Sequence, residues 1–228
     1  MQIGGFLKCS LVDYPGKVTA VVFTQGCNFC CPFCHNIELV IPSSFRASVP
    51  EAEVLSFLAQ RRSVLQGLTV TGGEPTLQTD LPLFLKTVKD LGYLVKLDTN
   101  GSRPDVLSGL LQDSLVDYVA MDIKTSLSRY RQACGVEVDT ACIEKSIHLV
   151  LTSGILYEFR STAVKPFIDE QSLADIHKLL NHSQHYNLQE FVSRDHLVAP
   201  ALLDQRQYTM EEFRALKAKW DIVPSKSS

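Results

Sequence analysis

Short apolar runs alternate with amphipathic stretches along most of the chain. The apolar runs are rich in β-branched residues, which is typical of strands, and they occupy residues 18–24, 68–71, 94–98, 118–123, 156–162 and 188–192. The amphipathic stretches predict helices at 81–91, 105–111, 141–152 and 172–180. Two capping boxes predict further helix starts, Ser48-x-x-Glu51 for the first helix and Thr209-x-x-Glu212 for a last helix that ends at Trp220.

Strand and helix patterns therefore alternate about six times. Such alternation predicts an α/β fold with a parallel sheet and right-handed crossovers. A closed barrel of eight units usually needs ~250 residues, so we expect a partial (β/α)6 TIM-like barrel with outer helices. We expect residues 1–228 to form a single domain: an N-terminal hairpin extension at 1–17 with its loop at 8–16, a core at 18–163, and C-terminal βα units with a frayed tail at 164–228.

Composition and charge exclude several classes of protein. The chain has 228 residues, 45% of them apolar and 21% charged, which is enough for a substantial core. Its 22 basic and 25 acidic residues give a formal charge of -3 without a basic run, so we expect no general nucleic-acid binding. No apolar run approaches the ~18 residues of a membrane helix, and we expect a cytoplasmic protein without a membrane partner.

Cysteines are the first chemical signal. Four of the seven lie within eight residues, at Cys27, Cys30, Cys31 and Cys34. An odd total with such crowding favours a metal or redox site in a reducing compartment over a secreted disulfide framework. The scattered cysteines are expected to be ordinary buried or partly buried residues: Cys9, Cys134 and Cys142.

The four crowded cysteines allow more than one kind of site. In a structural zinc site, with His35 as a further candidate ligand, adjacent Cys30 and Cys31 would have to aim both sulfurs at one tetrahedral ion. A thioredoxin-like pair at Cys31 and Cys34 would leave the other two cysteines unexplained. Taking Cys27, Cys31 and Cys34 gives the spacing C-x3-C-x2-C, in which three thiolates on a four-iron cubane leave one iron open and Cys30 surplus.

Polar clusters also follow the next predicted strands. They are Gly72-Gly-Glu-Pro75, Asp98-Thr-Asn-Gly101 and Asp122-Ile-Lys124. Because the carboxyl ends of parallel strands share one edge of a sheet, we expect these clusters to meet the cysteine loop. Simpler interpretations remain open: the first two can be plain turns, Asp122 can pair with Lys124, and Arg160 can neutralise Glu158.

Taken together, these motifs resemble those of radical S-adenosylmethionine (SAM) enzymes. The signature is C-x3-C-x-aromatic-C, here with Phe33 before the last cysteine, followed about forty residues later by Gly72-Gly-Glu-Pro75. The segments Ser10-Leu-Val-Asp-Tyr-Pro-Gly-Lys17, Thr24-Gln-Gly-Cys-Asn28 and Cys34-His-Asn36 resemble, more narrowly, the activating proteins of anaerobic ribonucleoside-triphosphate reductase. The resemblance covers residues 4–160 and weakens afterwards.

The resemblance implies a partial barrel of the radical SAM type with two cofactors. Cys27, Cys31 and Cys34 would hold a 4Fe-4S cluster, whose open iron would chelate the amino and carboxylate groups of SAM. Phe33 would meet the adenine. Relatives typically carry a basic residue directly before the second cluster cysteine, and in this chain that position is Cys30.

Further residues receive implied roles in binding SAM. Gly72 and Gly73 would let the backbone approach the methionine moiety, because they lack a Cβ atom. Glu74 would accept from the methionine ammonium. Arg160 would pair with the cofactor carboxylate, and Lys124 would lie close by.

The implied activity is that of a glycyl-radical enzyme activase. Reductive cleavage of SAM would give a 5'-deoxyadenosyl radical, which takes a hydrogen atom from a glycine of the reductase. An electron donor such as flavodoxin or ferredoxin would be a second partner. The alternative is a radical SAM enzyme for another glycyl-radical protein or for a small molecule or nucleoside. A monovalent cation site is implied at Asp98, Thr99 and Asp122.

Overall fold

The computed structural model describes residues 1–192 and 196–221. Its centre is a seven-stranded sheet in which the strands follow one another in chain order from β1 to β7. β2 to β7 are parallel, and β1 pairs antiparallel with β2, with Ile3 opposite Thr24. The strands are β1 Ile3–Ser10, β2 Thr19–Thr24, β3 Gly67–Gly72, β4 Leu94–Thr99, β5 Tyr118–Asp122, β6 Leu156–Ala163 and β7 Tyr186–Glu190. The predicted partial barrel is confirmed.

Helices connect the parallel strands. They are α1 Ile37–Val40, α2 Glu51–Gln60, α3 Leu81–Asp90, α4 Pro104–Gln112, α5 Tyr130–Cys134, α6 Thr140–Thr152, α7 Glu170–Leu179 and α8 Met210–Trp220. The capping box predicted at Thr209 is present, since its side chain accepts from the Glu212 N–H and the Glu212 carboxylate accepts in return. The sequence pattern gave no sign of α1 or α5, which have four and five residues.

Burial explains why the central strands read as continuous apolar runs. The side chains at 19–22 in β2 and 67–70 in β3 are all buried, although successive residues point to opposite faces of the sheet. The main hydrophobic core combines these strands with the inner faces of the helices, for example Val54 and Leu58 of α2. Polar loops after the strands are therefore the place where chemistry can be positioned.

One predicted helix cap is wrong. α2 begins at Glu51 with Pro50 as its N-cap residue, and no side chain caps this helix. The Ser48 hydroxyl instead accepts from the Ile3 N–H and donates to the Ile3 carbonyl, at 3.0 and 3.1 Å. Glu51 accepts from the ammonium of Met1. The Ser48 hydroxyl therefore binds the backbone of the edge strand β1 and does not cap α2.

Other boundaries differ by a few residues. β1 continues to Ser10, so the hairpin loop is shorter than the predicted 8–16. β7 begins at Tyr186 and ends at Glu190, earlier than predicted, which leaves Phe191 and Val192 beyond the strand. Cys9 is exposed instead of buried. The predicted tail at 224–228 lies outside the described residues.

Candidate functional site

The loop at 27–36, here named the cysteine loop, follows β2 at the carboxyl edge of the sheet. Aromatic contacts fix it to segments that follow three later strands. The ring centroids lie 6.5 Å apart for Phe29 and Tyr130, 5.6 Å for Phe33 and Phe167, and 5.5 Å for His35 and Phe191. The loop carbonyls of Pro32 and Cys34 also accept from the backbone of Ala199 and Val198, each at 3.0 Å. The cysteine loop thus extends across the carboxyl edge from β2 toward β7.

A cavity of about 410 Å³ lies beneath this loop, and residues from or just after all six parallel strands line it. It gathers the predicted site residues Cys27, Cys31, Phe33, Cys34, Gly72, Gly73, Glu74, Asp98, Thr99, Asp122, Lys124 and Arg160. Cys30 is not among the lining residues that the structure describes. The sequence missed part of the wall, including Thr162, Phe191 and Val192, since nothing in their pattern separates them from ordinary strand ends.

The three spaced cysteines sit in different electrostatic surroundings. Burial raises the pKa of the Cys27 thiol to about 12 and also raises the pKa of Cys34. A hydrogen bond with the Cys134 thiol, together with the nearby Lys124 ammonium, outweighs burial and lowers the pKa of Cys31 to about 7. Because thiolates are the ligand form, a soft metal group here would displace protons from buried thiols.

Cys134 is the cysteine whose place in the site the sequence missed. It is fully buried at the end of α5, and its backbone carbonyl accepts from the Cys30 N–H at 2.8 Å. The effect of the nearby Cys31 thiol, followed by burial, strongly raises the pKa of Cys134. Cys31 and Cys134 are far apart in sequence. The available signal was that Cys134 lies in the connection after β5, a strand that ends at the cavity.

Gly72 and Gly73 are glycines because the protein backbone packs tightly around them. A Cβ on Gly72, whose φ is +122°, would lie 2.3 Å from the Thr24 nitrogen. A Cβ on Gly73 would lie 2.1 Å from the Gly26 carbonyl oxygen. These contacts are with β2 and with the residue just before the cysteine loop, and the implied role of Gly72 and Gly73 in the approach of a cofactor stays a prediction.

Glu74 ties the loops after β3 and β4 together. Its carboxylate is fully buried, and Oε1 accepts from the Thr76 hydroxyl at 2.5 Å and the Thr99 hydroxyl at 2.7 Å. Oε2 accepts from the Asn100 N–H at 2.6 Å. Burial raises the pKa of this carboxyl, while the hydrogen bonds oppose the shift. Oε1 is surrounded by donors, whereas Oε2 can still accept another hydrogen bond.

An amide bridge, which the sequence also missed, joins the cysteine loop to the loop after β4. The Asn100 side chain donates to Asn28 Oδ1 at 3.0 Å, and the Asn28 side chain donates to the Ser102 hydroxyl at 2.8 Å. Asn100 Oδ1 accepts from the Ser102 N–H at 2.9 Å. The sequence predicts Asn100 in a polar cluster at this edge, with a plain turn as the simpler alternative, and the structure adds that its side chain helps to position the cysteine loop.

Arg160 of β6 is held by carboxylates from two neighbouring strands. Its Nε donates to Asp122 at 2.9 Å, and another guanidinium nitrogen donates to Asp98 at 3.2 Å. The simpler sequence interpretation paired Arg160 with Glu158 on its own strand, but Glu158 instead lies 4.0 Å from Lys96. The partners therefore come from across the sheet, at the level of the cavity.

Two lysines complete this ion-pair network. Lys96 donates to Asp98 at 2.5 Å, and Lys124 donates to Asp122 at 3.0 Å, as the simpler interpretation predicted. Burial alone would raise the pKa of Asp122, but the charges of Arg160 and Lys124 hold it well below its usual range. Each of the two carboxylates therefore has two cationic partners.

Searching the described residues for three or more His, Cys, Asp or Glu side chains able to hold a metal ion gives no such group. The predicted cation site at Asp98, Thr99 and Asp122 thus stays a prediction. None of the helices in the described ranges is long and apolar enough to cross a membrane.

Comparison with known proteins identifies the family. The profile described as "Radical SAM superfamily" matches residues 21–182, which include most of β2, the cysteine loop and β3 to β6. The chain belongs to the radical SAM superfamily. Membership of this superfamily implies a 4Fe-4S cluster and SAM as cofactors, and it makes the chain a radical SAM enzyme.

Individual radical SAM relatives differ in their named activities. A Methanocaldococcus jannaschii protein named "Putative glycyl-radical enzyme activating enzyme" is 33% identical over 199 residues, which are 85% of this chain and 81% of that protein. A Sulfolobus acidocaldarius protein named "Probable GTP 3',8-cyclase" is 29% identical over 177 residues, covering 69% of this chain and 55% of that protein.

Solved structures support the radical SAM fold. The crystal structure of Streptococcus suis SuiB bound to S-adenosylmethionine superimposes with a TM-score of 0.66 at 17% identity, over 87% of this chain. The match spans 45% of the SuiB chain, so the present chain is similar to less than half of that protein. At this identity the likeness concerns the fold alone.

The residues present fit the radical SAM cofactors in their donor chemistry. Thiol groups are the ligands that iron–sulfur clusters take, and three cysteines of one loop line the cavity. Around them lie a buried carboxylate, a lysine and an arginine, which can bind the charged ends of an amino acid moiety.

Proposed function

We propose that this chain is a glycyl-radical enzyme activase, which forms the glycyl radical of anaerobic ribonucleoside-triphosphate reductase. The observation that carries the proposal is the match to the first M. jannaschii relative, which extends over most of both chains. A second M. jannaschii protein with the same kind of name is 33% identical over 121 residues. The reductase itself is our inference from the sequence segments around the cysteine loop.

In this proposal Cys27, Cys31 and Cys34 hold the cluster. When bound, the reduced cluster and SAM supply a 5'-deoxyadenosyl radical that takes a hydrogen atom from a glycine Cα of the partner. Phe33, packed on Phe167, offers a ring face at the cavity wall for the adenine. The buried part of the wall, for example Glu74 and Thr99, would limit the access of water to the reacting groups.

Three charged side chains would orient the methionine end of SAM. Glu74 Oε2, with a single protein donor, can accept from the ammonium, and the backbone at Gly72 and Gly73 borders the same part of the cavity. Lys124 donates to one carboxylate and keeps further protons to donate to the cofactor carboxylate. Arg160 already pairs with Asp98 and Asp122. Its proposed contact with the cofactor carboxylate would be added to these two ion pairs.

The partner proteins are also part of the proposal. Within residues 1–192 and 196–221, β1 and β7 do not pair with each other, so the sheet is open between its first and last strands, and we propose this opening as the entrance for the glycine-bearing loop. An electron donor such as flavodoxin or ferredoxin would reduce the cluster. A nucleotide substrate is the second candidate function, because the relatives include proteins named as GTP 3',8-cyclases.

The cysteine series tests the cofactor assignment. An anaerobically reconstituted wild-type chain should bind about four irons and cleave SAM when reduced. Cys27→Ala, Cys31→Ala and Cys34→Ala should each abolish SAM cleavage, whereas Cys30→Ala should retain it as the matched control. Loss of the cluster in Cys30→Ala with retention in Cys31→Ala would overturn the ligand assignment.

Mixing with candidate substrates tests the activase assignment. With reductant and SAM, a glycine-centred EPR signal should form only when the anaerobic reductase is added. GTP consumption without that signal would favour the nucleotide alternative. SAM cleavage with neither outcome would overturn both named substrates while leaving the radical SAM chemistry intact.

A further inference from the structure

A buried lysine, Lys96 of β4, has no part in the proposed function so far. It is 2% exposed and is not among the cavity-lining residues that the structure describes. Its ammonium donates to Asp98 Oδ1 at 2.5 Å and lies 5.7 Å from the centre of the Tyr118 ring. A lysine is rarely buried to this extent unless its charge is paired. The carboxylate that pairs with Lys96 belongs to a residue that does line the cavity.

Asp98 links Lys96 to Arg160. Lys96 and Asp98 are two residues apart on β4, so their side chains project from the same face of the sheet. The two oxygens of Asp98 have different partners, because Oδ1 accepts from Lys96 and Oδ2 accepts from Arg160 at 3.2 Å. Arg160 also donates to Asp122 at 2.9 Å, and Asp122 accepts from Lys124 at 3.0 Å. Cations and carboxylates thus alternate from Lys96 to Lys124.

The balance of charge in this row depends on the lysines at its two ends. Arg160 with its two aspartates alone would be one cation between two anions, which is unfavourable for binding a further carboxylate. Each lysine offsets one aspartate. Glu158 lies 4.0 Å from the Lys96 ammonium, too far for a hydrogen bond, so the hydrogen bond of Lys96 to a carboxylate is made with Asp98.

We propose that Lys96 is a positioning residue for the carboxylate of SAM. By occupying one oxygen of Asp98, Lys96 limits Asp98 to a single contact with Arg160 and leaves further guanidinium N–H groups available for the cofactor. Without Lys96, both oxygens of Asp98 can take the guanidinium in the bidentate geometry that arginine and carboxylate prefer. This inference rests on the proposed function, in which Arg160 contacts the cofactor carboxylate.

SAM binding by the cluster-loaded chain tests this role. Equilibrium dialysis without reductant measures the Kd for SAM in the absence of cleavage. Lys96→Met should raise this Kd about tenfold, a size typical of coupling between neighbouring charged groups, and should leave the iron content unchanged. Lys96→Arg, which restores a cation and a donor, should recover most of the affinity. Lys86→Met, at an exposed lysine of α3 that pairs with Asp90, is the matched control and should bind SAM like the wild type.

Decarboxylated SAM separates positioning from a general loss of structure. This probe lacks the carboxylate and keeps the rest of the cofactor. Lys96→Met should weaken the binding of SAM and leave the Kd of decarboxylated SAM nearly unchanged. Equal weakening of both ligands, or weakening of neither, would overturn the inference. If Lys96→Met does not fold, Lys96→Gln takes its place in the same comparison, since it keeps a donor for Asp98 without the charge, and it should show the same selective loss.

A variant of Arg160 tests whether Lys96 acts through the guanidinium. In Arg160→Met, which should itself bind SAM weakly, the further change Lys96→Met should weaken binding no more, because no guanidinium remains to be positioned. Losses that simply add would show that Lys96 acts by another route and would contradict the proposal.

The outcomes keep this inference separate from the proposed function. Suppose that the reductase gives no glycine-centred EPR signal, while Lys96→Met loses affinity for SAM alone. The activase assignment would then be overturned, and the role of Lys96 would be supported. A normal EPR signal, with equal SAM binding by the wild type and Lys96→Met, would support the activase and overturn the role of Lys96.

Discussion

Glu74 shows how one residue can serve both the fold and the site. Its buried carboxylate receives hydroxyl and backbone donors from the loops after β3 and β4, which are adjacent in the sheet. Buried charged groups that are satisfied in this way fix the loops around them, since each lost acceptor leaves a donor unpaired. The cavity wall therefore depends on Glu74 even before a cofactor binds.

Replacing Glu74 with Gln should destabilise the cluster-free chain. The amide NH2 group of the glutamine would replace one carboxylate oxygen, and the donors that this oxygen accepts from would lose their acceptor. Each unsatisfied buried donor costs about 1–3 kcal/mol. Chemical denaturation under reducing conditions measures the free energy of unfolding. Glu53→Gln, at an exposed position of α2, is the matched control and should differ little from the wild type. Equal loss in both variants would refute the structural role of Glu74.

Helices α7 and α8 and strand β7 meet at a buried histidine. The His177 ring of α7 packs against Tyr186 at 4.9 Å and against Trp220 at 5.1 Å between ring centroids. Burial lowers the pKa of His177, and the charge of His182 acts in the same direction, although a hydrogen bond with the Trp220 backbone opposes both. The folded chain therefore favours the neutral ring more than the unfolded chain does.

This contact should make the junction of α7, β7 and α8 sensitive to acid. The unfolded histidine takes up a proton as pH falls through about 6.5, whereas the folded one does so only at lower pH, so stability is lost in that interval. The free energy of unfolding should fall from about pH 7.5 to about pH 5.5, and it should fall less in His177→Gln. His148→Gln, at an exposed histidine of α6, should keep the wild-type pH dependence. A wild-type slope in His177→Gln would contradict this argument.

Periodicity predicted elements well where a long apolar pattern dominated. The strands from β2 to β6 and the helix from Thr140 to Thr152 were found within two residues, because burial itself produces their pattern. Short elements such as α5 have no periodicity to detect. The Ser48 cap failed for a different reason: a hydroxyl can satisfy a distant backbone as easily as a nearby one, and only the fold brings Ile3 beside it.

The sequence predicted that the site residues would lie together at one edge of the sheet, but it did not predict which side chains would contact each other there. Parallel strands end at one edge, so the clusters after β2 to β5 had to converge. Which side chains pair there depends on the register between strands, which places Asp122 opposite Arg160 and leaves Glu158 near Lys96. The contact of Cys134 with Cys31 depends likewise on how α5 packs, which no local pattern encodes.

In the part of the chain that the structure describes the sheet is open, and side chains contact the backbone of both of its edge strands. At the first edge the Ser48 hydroxyl binds the backbone N–H and carbonyl of Ile3. At the last edge Asp221 accepts from the Leu188 N–H at 2.6 Å, and Lys217 donates to the Leu188 carbonyl at 2.8 Å. Uncovered edges are templates for pairing with another chain, so these contacts should oppose such pairing at Ile3 and Leu188.

Asp221 provides the sharpest test of edge protection. Asp221→Ala leaves the buried Leu188 N–H without its acceptor and removes the partner of Lys217 at 3.1 Å, so the chain should lose about 1–3 kcal/mol of unfolding free energy. Asp221→Asn keeps an accepting oxygen but loses the charge, and it should fall between the wild type and the alanine variant. Light scattering should detect self-association at high concentration for Asp221→Ala, because the outer side of β7 would then offer unpaired backbone groups. Unfolding curves that coincide for all three proteins, with no self-association of Asp221→Ala, would show that Asp221 does not protect this edge.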